Sequence, residues 1–146
     1  MKNRLLHTIG YLLILATANS QAVFYLNAGS RAPWGDNQQL TIHQSGQALF
    51  ILREVNGRAK DSISFNIPAD QLNSIFQKAR EIGFFGLEKN YDSDAKDGWG
   101  IYISLNDQGN KYQVSVKNIV QPAIKEFVTF LNNLLSTRNI RIRYGD

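Results

Sequence analysis

The 146-residue chain has no cysteine. Disulfides, thiolate nucleophiles, cysteine metal sites and a lipid-modified N-terminal cysteine are all excluded by that one absence. Histidine is nearly as scarce, with His7 near the start and His43 as the only other. The chain has no glycine-rich phosphate loop and no Gly-x-Ser-x-Gly nucleophile elbow. Beyond the first 22 residues no apolar run approaches the roughly 20 residues that a membrane-spanning helix needs. No motif therefore assigns an activity, and an enzyme is not the favoured expectation. What remains is a domain that must hold itself together by burial, which at this size can remove roughly two-thirds of the unfolded surface from water.

Residues 1–22 read as a secretory signal peptide rather than as part of the domain. Lys2 and Arg4 give a positive start, Gly10 to Ala18 is apolar, and Ser20 and Ala22 occupy the −3 and −1 positions of a cleavage site. Ala16 and Ala18 offer a second site. The protein is expected to be exported, periplasmic or secreted. Cleavage after Ala22 removes two of the sixteen basic residues, so the net charge falls from +4 to +2 and His43 becomes the only histidine. That balance argues against a nucleic-acid surface, which needs clustered Lys and Arg. Arg138, Arg141 and Arg143 do cluster, and read as a solvated tail complementing the end of the last helix.

Residues 23–38 read as an N-terminal extension or edge strand, and residues 39–146 as a single domain. Val23 to Leu26 supply the candidate strand, and Arg31 to Asp36 a loop punctuated by Pro33 and Gly35. Leu40 and Ile42 alternate with Thr41 and His43 in a half-buried strand. A two-residue Ser45-Gly46 turn predicts Ile42 opposite Leu49 and Leu40 opposite Ile51. In Gln47–Arg53 both parities are apolar, which suggests a central strand covered on both faces. Asn56-Gly57 is the strongest hairpin signal and places Phe50 opposite Ile63. The two registers put apolar residues on opposite faces, so a longer loop is expected across residues 58–61, or both faces are covered.

A helix follows from Pro68, with Leu72, Ile75, Phe76, Ala79 and Ile82 as its apolar stripe and Gly83 as its stop. Phe84, Phe85 and Leu87 carry the core past it, each buried phenylalanine contributing roughly 2–3 kcal/mol by transfer. Next, Trp99, Ile101, Ile103 and Leu105 alternate, as do Tyr112, Val114 and Val116. A Gln108-Gly109 turn predicts Leu105 opposite Tyr112, Ile103 opposite Val114 and Ile101 opposite Val116. The final helix starts at Pro122, buries Ile124, Phe127, Val128, Leu131 and Leu135, and caps at Asn139. Ile140 and Ile142 offer a short last strand.

The fold class is α+β: an antiparallel sheet of about five strands, ordered strand-strand-strand-helix-strand-strand-helix, with two helices on one face. The other face displays Thr41, His43, Tyr102, Ser104, Gln113, Ser115, Lys111 and Lys117, and takes some of Ala48, Phe50 and Leu52.

Two local chemistries compete with a plain binding surface. Asp92, Asp94 and Asp97 fall within six residues and resemble a calcium loop, but Lys96 and Ile103 occupy positions where ligands are needed. His43 with a loop aspartate offers a hydrolase-type pair, without an accompanying elbow. The favoured function is a non-catalytic, monomeric binding module without cofactor, taking a protein or small ligand of the cell envelope. Its expected surface is Trp34, His43, Tyr102 and Gln113.

Leu40-Thr-Ile-His-Gln-Ser-Gly46, the helix end Gly83-Phe-Phe-Gly-Leu87, Tyr91, Asp97, a lysine-containing hairpin and a Pro-started final helix together resemble a known pattern. They resemble a domain of unknown function found in exported bacterial proteins and lipoproteins. Members often carry a cysteine pair before the first clear strand, and Ala28 to Gly35 contains none. The resemblance implies neither an activity nor site residues.

Overall fold

A computed structural model describes residues 21–30, 35–94 and 98–144, with Ser30 described for its backbone alone. The expected signal peptide lies almost wholly outside the described residues, as do Trp34 and Asp97. The elements run β1 (Ala22–Ser30), β2 (Asn37–His43), β3 (Gln47–Arg53), β4 (Ala59–Asn66), α1 (Ala69–Glu81), β5 (Asn90–Asp92), β6 (Trp99–Asp107), β7 (Asn110–Lys117) and α2 (Pro122–Leu135). The strands form one sheet in the order β4-β3-β2-β1-β6-β7-β5, and both helices pack on the same side of it.

The α+β class and the single helical layer agree with the sequence, but the sheet has seven strands, not five, and it is mixed. The additional strands are β1 and β5. β1 is no edge: it pairs with β2 on one side and β6 on the other. Its Phe24, Leu26 and Ala28 are buried at alternate positions, so it fills the middle of the core. β5 pairs with β7 in parallel, with the Ser115 amide bonded to the Lys89 carbonyl at 2.8 Å.

The β6–β7 hairpin has the expected register, with Leu105 opposite Tyr112, Ile103 opposite Val114 and Ile101 opposite Val116. Gln108 and Gly109 both have positive φ, as a two-residue turn that matches strand twist requires. The β2–β3 hairpin corrects the expectation. Leu40 faces Phe50 and Ile42 faces Ala48, because the connection is the three residues Gln44-Ser45-Gly46. Gly46 has φ +88, its amide returns to the His43 carbonyl at 2.9 Å, and a Cβ there would lie 2.4 Å from the Ile67 carbonyl oxygen.

That single extra loop residue resolves the conflict between the two hairpins. Phe50 faces Ile63 as expected, and both now share the helix side with Leu40 and Ile42. Residues 58–61 form no long loop: β4 begins at Ala59, and a bulge takes up the shift between Leu52 and Arg53. Ala48 and Phe50 are accordingly buried in the core rather than displayed on the other face. Leu49 and Ile51 take the displayed side instead.

α1 buries Ile75 and Ala79 and ends at Gly83, whose φ of +72 is the left-handed stop. Phe84 then drops into the core, 6.0 Å from the Phe127 ring, while Phe127 meets Phe24 at 6.3 Å. This triad ties β1, the end of α1 and α2 together. Phe85 packs edge-on against Tyr112 at 4.7 Å. At the start of α2 the Gln121 side chain accepts the Ile124 amide at 2.8 Å, leaving Pro122 in the first turn where its missing N–H costs nothing.

Beyond α2 and a left-handed Asn139, Ile140, Ile142 and Tyr144 are buried. They form no strand. Two amide side chains hold this segment where a neighbouring strand would. Gln38 donates to the Arg141 carbonyl at 2.7 Å and accepts the Arg143 amide at 2.8 Å. Asn132 donates to the Ile142 carbonyl at 2.9 Å and accepts the Ile142 amide at 2.7 Å. Arg138 is less solvated than a free tail residue: it lies 5.1 Å over the Phe65 ring and donates to the Asn66 and Leu134 carbonyls.

Candidate functional site

The sheet face turned away from the helices is the broadest surface that no described element covers. Strand alternation puts Tyr25 and Asn27 of β1, Gln39, Thr41 and His43 of β2, and Leu49, Ile51 and Arg53 of β3 on it. β6 adds Tyr102, Ser104 and Asn106, and β7 adds Lys111, Gln113, Ser115 and Lys117.

A connected set of contacts crosses its centre. The Tyr25 and Tyr102 rings meet edge to face at 5.9 Å. Gln39 donates to the Tyr25 hydroxyl at 3.1 Å, and Arg53 donates through Nε to Gln39 Oε1 at 3.2 Å and to the Gly57 carbonyl at 3.0 Å. These bonds fix side chains that would otherwise be mobile in water. Glycines keep one row of the face low. A Cβ at Gly29 would strike Asn37 Oδ1, and one at Gly100 would lie 3.5 Å from Lys117 Cγ. The Asn37 side chain occupies the space over Gly29.

Of the residues expected from the sequence, Tyr102 and Gln113 come together as diagonal neighbours on β6 and β7, a separation of about 7–8 Å. His43 is on the same face but three strands from β7 and at the end of β2. It borders a shallow depression of about 420 Å³ with Leu49, Ser64 and Asn66.

Among the described residues the structure does not unite His43 with Asp92 or Asp94. Asp92 ends β5 at the opposite corner, so strand spacing and rise put the two roughly 25–30 Å apart. Asp92 Oδ1 accepts the Asp94 amide at 3.3 Å, and Asp94 takes a positive φ of 60. Those are turn-forming roles. Among the described residues no three His, Cys, Asp or Glu side chains gather to hold a metal.

Tyr25, Gln39 and Arg53 were not legible as site residues. The signal for Tyr25 was present, since Phe24, Tyr25 and Leu26 alternate, but it required knowing that β1 is an inner strand. Perturbed acidity lies elsewhere. Burial raises the Tyr144 hydroxyl above its ordinary range, opposed by the bond from the Gln121 amide. The hydrogen bond to Glu126 raises the partly exposed Lys78.

A second concavity, about 710 Å³, lies at the end of the sheet beside α1, with Leu72 and Phe76 below and Gln44, Asn73 and Gln77 around it. Arg80 and Asp107 close one side with an ion pair of 3.1 Å. No helix among the described residues is long and apolar enough to cross a membrane.

Residues 36–136 match the family described as a domain of unknown function, DUF6438. The chain belongs to this family. The DUF6438 match runs from the loop before β2 to the end of α2, so β1 and the Ile140–Tyr144 segment lie outside it. Both nevertheless complete the core: without β1, strands β2 and β6 would face each other across an empty strand position. No curated protein matches the chain.

Proposed function

We propose that the protein is an exported, non-catalytic binding module that works through the open face of its sheet. The observation that supports this most is the Tyr25–Tyr102 pair, fixed by Gln39 and Arg53 on a face that neither helix covers. Half-exposed aromatic rings with a polar handle suit recognition, because they bring contact area at low ordering cost. Leu49 and Ile51 extend the apolar part of that surface.

Photo-crosslinking residues placed at Tyr102 and Gln113, with Thr129 on the outer side of α2 as the control, test the assignment in intact cells. Adducts from the sheet positions and none from position 129 are expected. Adducts from position 129 alone, or none from the sheet, overturn it.

Export rests on Lys2, Arg4 and the Gly10–Ala18 run. The fold favours cleavage after Ala18, since the Gln21 carbonyl accepts the Gln44 amide at 2.9 Å and would be lost with cleavage after Ala22. N-terminal sequencing of the envelope fraction checks this. Asn19 is the expected first residue, and a cytosolic protein beginning at Met1 refutes export.

A further inference from the structure

We infer that the ligand of the open face is an acidic glycan, a chain of sugar rings carrying carboxylates at regular intervals. This rests on the open face being the binding surface and adds the chemistry of what it binds. Amides and hydroxyls dominate the face: Asn27, Gln39, Thr41, Gln113 and Ser115, whereas Ser104, expected to be displayed there, is buried. Each offers a donor and an acceptor, or a hydroxyl serving as either, which is the complement of vicinal sugar hydroxyls. The Tyr25 and Tyr102 rings supply apolar surface beside them for the C–H sides of sugar rings. The Gln39 and Arg53 bonds hold Tyr25 in place before any ligand arrives, which lowers the ordering cost of binding.

Charge selects the acidic class. Arg53, Lys111 and Lys117 lie on the face, and Asp92, at its β5 border, is the carboxylate on the strands opposed to them. Strand geometry puts Lys111 and Lys117 roughly 20 Å apart along β7, and Lys117 about 19 Å from Arg53 across the sheet. Cations that far apart suit a polymer whose charges recur along its length. They are too sparse for a nucleic-acid backbone. The core of a protein interface is more apolar than its rim, and the aliphatic residues here, Leu49 and Ile51, sit to one side on β3. A recess of about 210 Å³ between Tyr25, Ser104, Asn106 and Lys111 adds a polar foothold.

The test uses the purified mature protein with oligogalacturonate and oligomannuronate, each compared with its methyl ester, which keeps the rings and removes the charge. Amide chemical shifts on β1, β2, β6 and β7 should move with at least one acid. Methyl esterification, or the Arg53→Ala/Lys117→Ala double change, should weaken binding about tenfold or more, and added salt should weaken it too. Tyr102→Ala should reduce affinity for the acid without abolishing the folded spectrum. Absence of shifts with both acids at millimolar concentration overturns the proposal, as does equal binding of acid and ester. If no glycan binds but photo-crosslinks at Tyr102 capture a protein, the open face stands as the site and the glycan assignment falls. If neither is found, both fall.

Discussion

The two faces of the sheet hold their side chains in different ways. On the helix side Leu26, Leu40, Ile103 and Leu105 are completely buried, and Phe24, Phe84 and Phe127 lock three elements at one point. On the other side Tyr25, Gln39 and Arg53 are ordered by hydrogen bonds while remaining in contact with water, and Leu49 is 36% exposed. Burial is worth roughly 25 cal/mol per Å² of apolar surface and needs no direction. The open face gains little from it and relies on directed polar contacts worth about 1 kcal/mol each. Stability therefore resides mainly on the helix side of the sheet.

The largest break in that contrast should come from Phe84→Ala, which empties the meeting point of β1, α1 and α2. A loss of about 3–5 kcal/mol is expected, read from urea denaturation, and a loss under 1 kcal/mol would mean that the triad is not the anchor. Gln38→Leu should come next. It removes both bonds that hold the buried Arg141–Arg143 backbone, leaving a carbonyl and an amide unpaired at a cost of about 1–3 kcal/mol each. Hydrogen exchange should then accelerate at residues 140–144 ahead of the sheet, and uniform exchange would show that the segment is held by its side chains alone. Tyr102→Leu, on the open face, should shift stability by no more than about 1 kcal/mol. A larger loss would make the Tyr25–Tyr102 pair a structural element.

The smallest effect should be a titration. Burial raises the Tyr144 hydroxyl above its ordinary value of 10.0, so the folded state favours the neutral phenol. Its contribution is fully present below about pH 10 and is lost as pH rises through that value toward the higher folded one. Tyr144→Phe should flatten the alkaline fall in melting temperature, and an unchanged slope would remove Tyr144 as its cause.

Much of the fold could be read before the structure. The β6–β7 register followed from one parity argument, because each strand had a single apolar face. Both helices were marked by their apolar stripes and by Pro68, Gly83, Pro122 and Asn139. β3 was ambiguous for the complementary reason: with Ala48, Phe50 and Leu52 on one parity and Leu49 and Ile51 on the other, either face qualified as the core. The length of the Gln44–Gly46 loop decided it, and a one-residue difference in loop length leaves no periodic trace. β1 escaped because Val23–Leu26 is short and follows the signal-like run, so nothing local distinguished an inner strand from an extension. Of the candidate site, Tyr102 and Gln113 were legible as neighbours on a displayed face. The Tyr25–Gln39–Arg53 connection was not, since it depends on β1 lying between β2 and β6.

The amino-acid sequence alone determined the absence of thiol chemistry, the two helices and the pairing of the last hairpin. Each of these rests on composition or on a local period that the backbone geometry imposes. Tertiary structure alone decided the central place of β1, the parallel addition of β5, the side on which Phe50 is buried and the clasp of Gln38 and Asn132 on the C-terminal segment. Those are contacts between residues far apart in the chain, chosen by which arrangement buries the most apolar surface while leaving no backbone group unpaired.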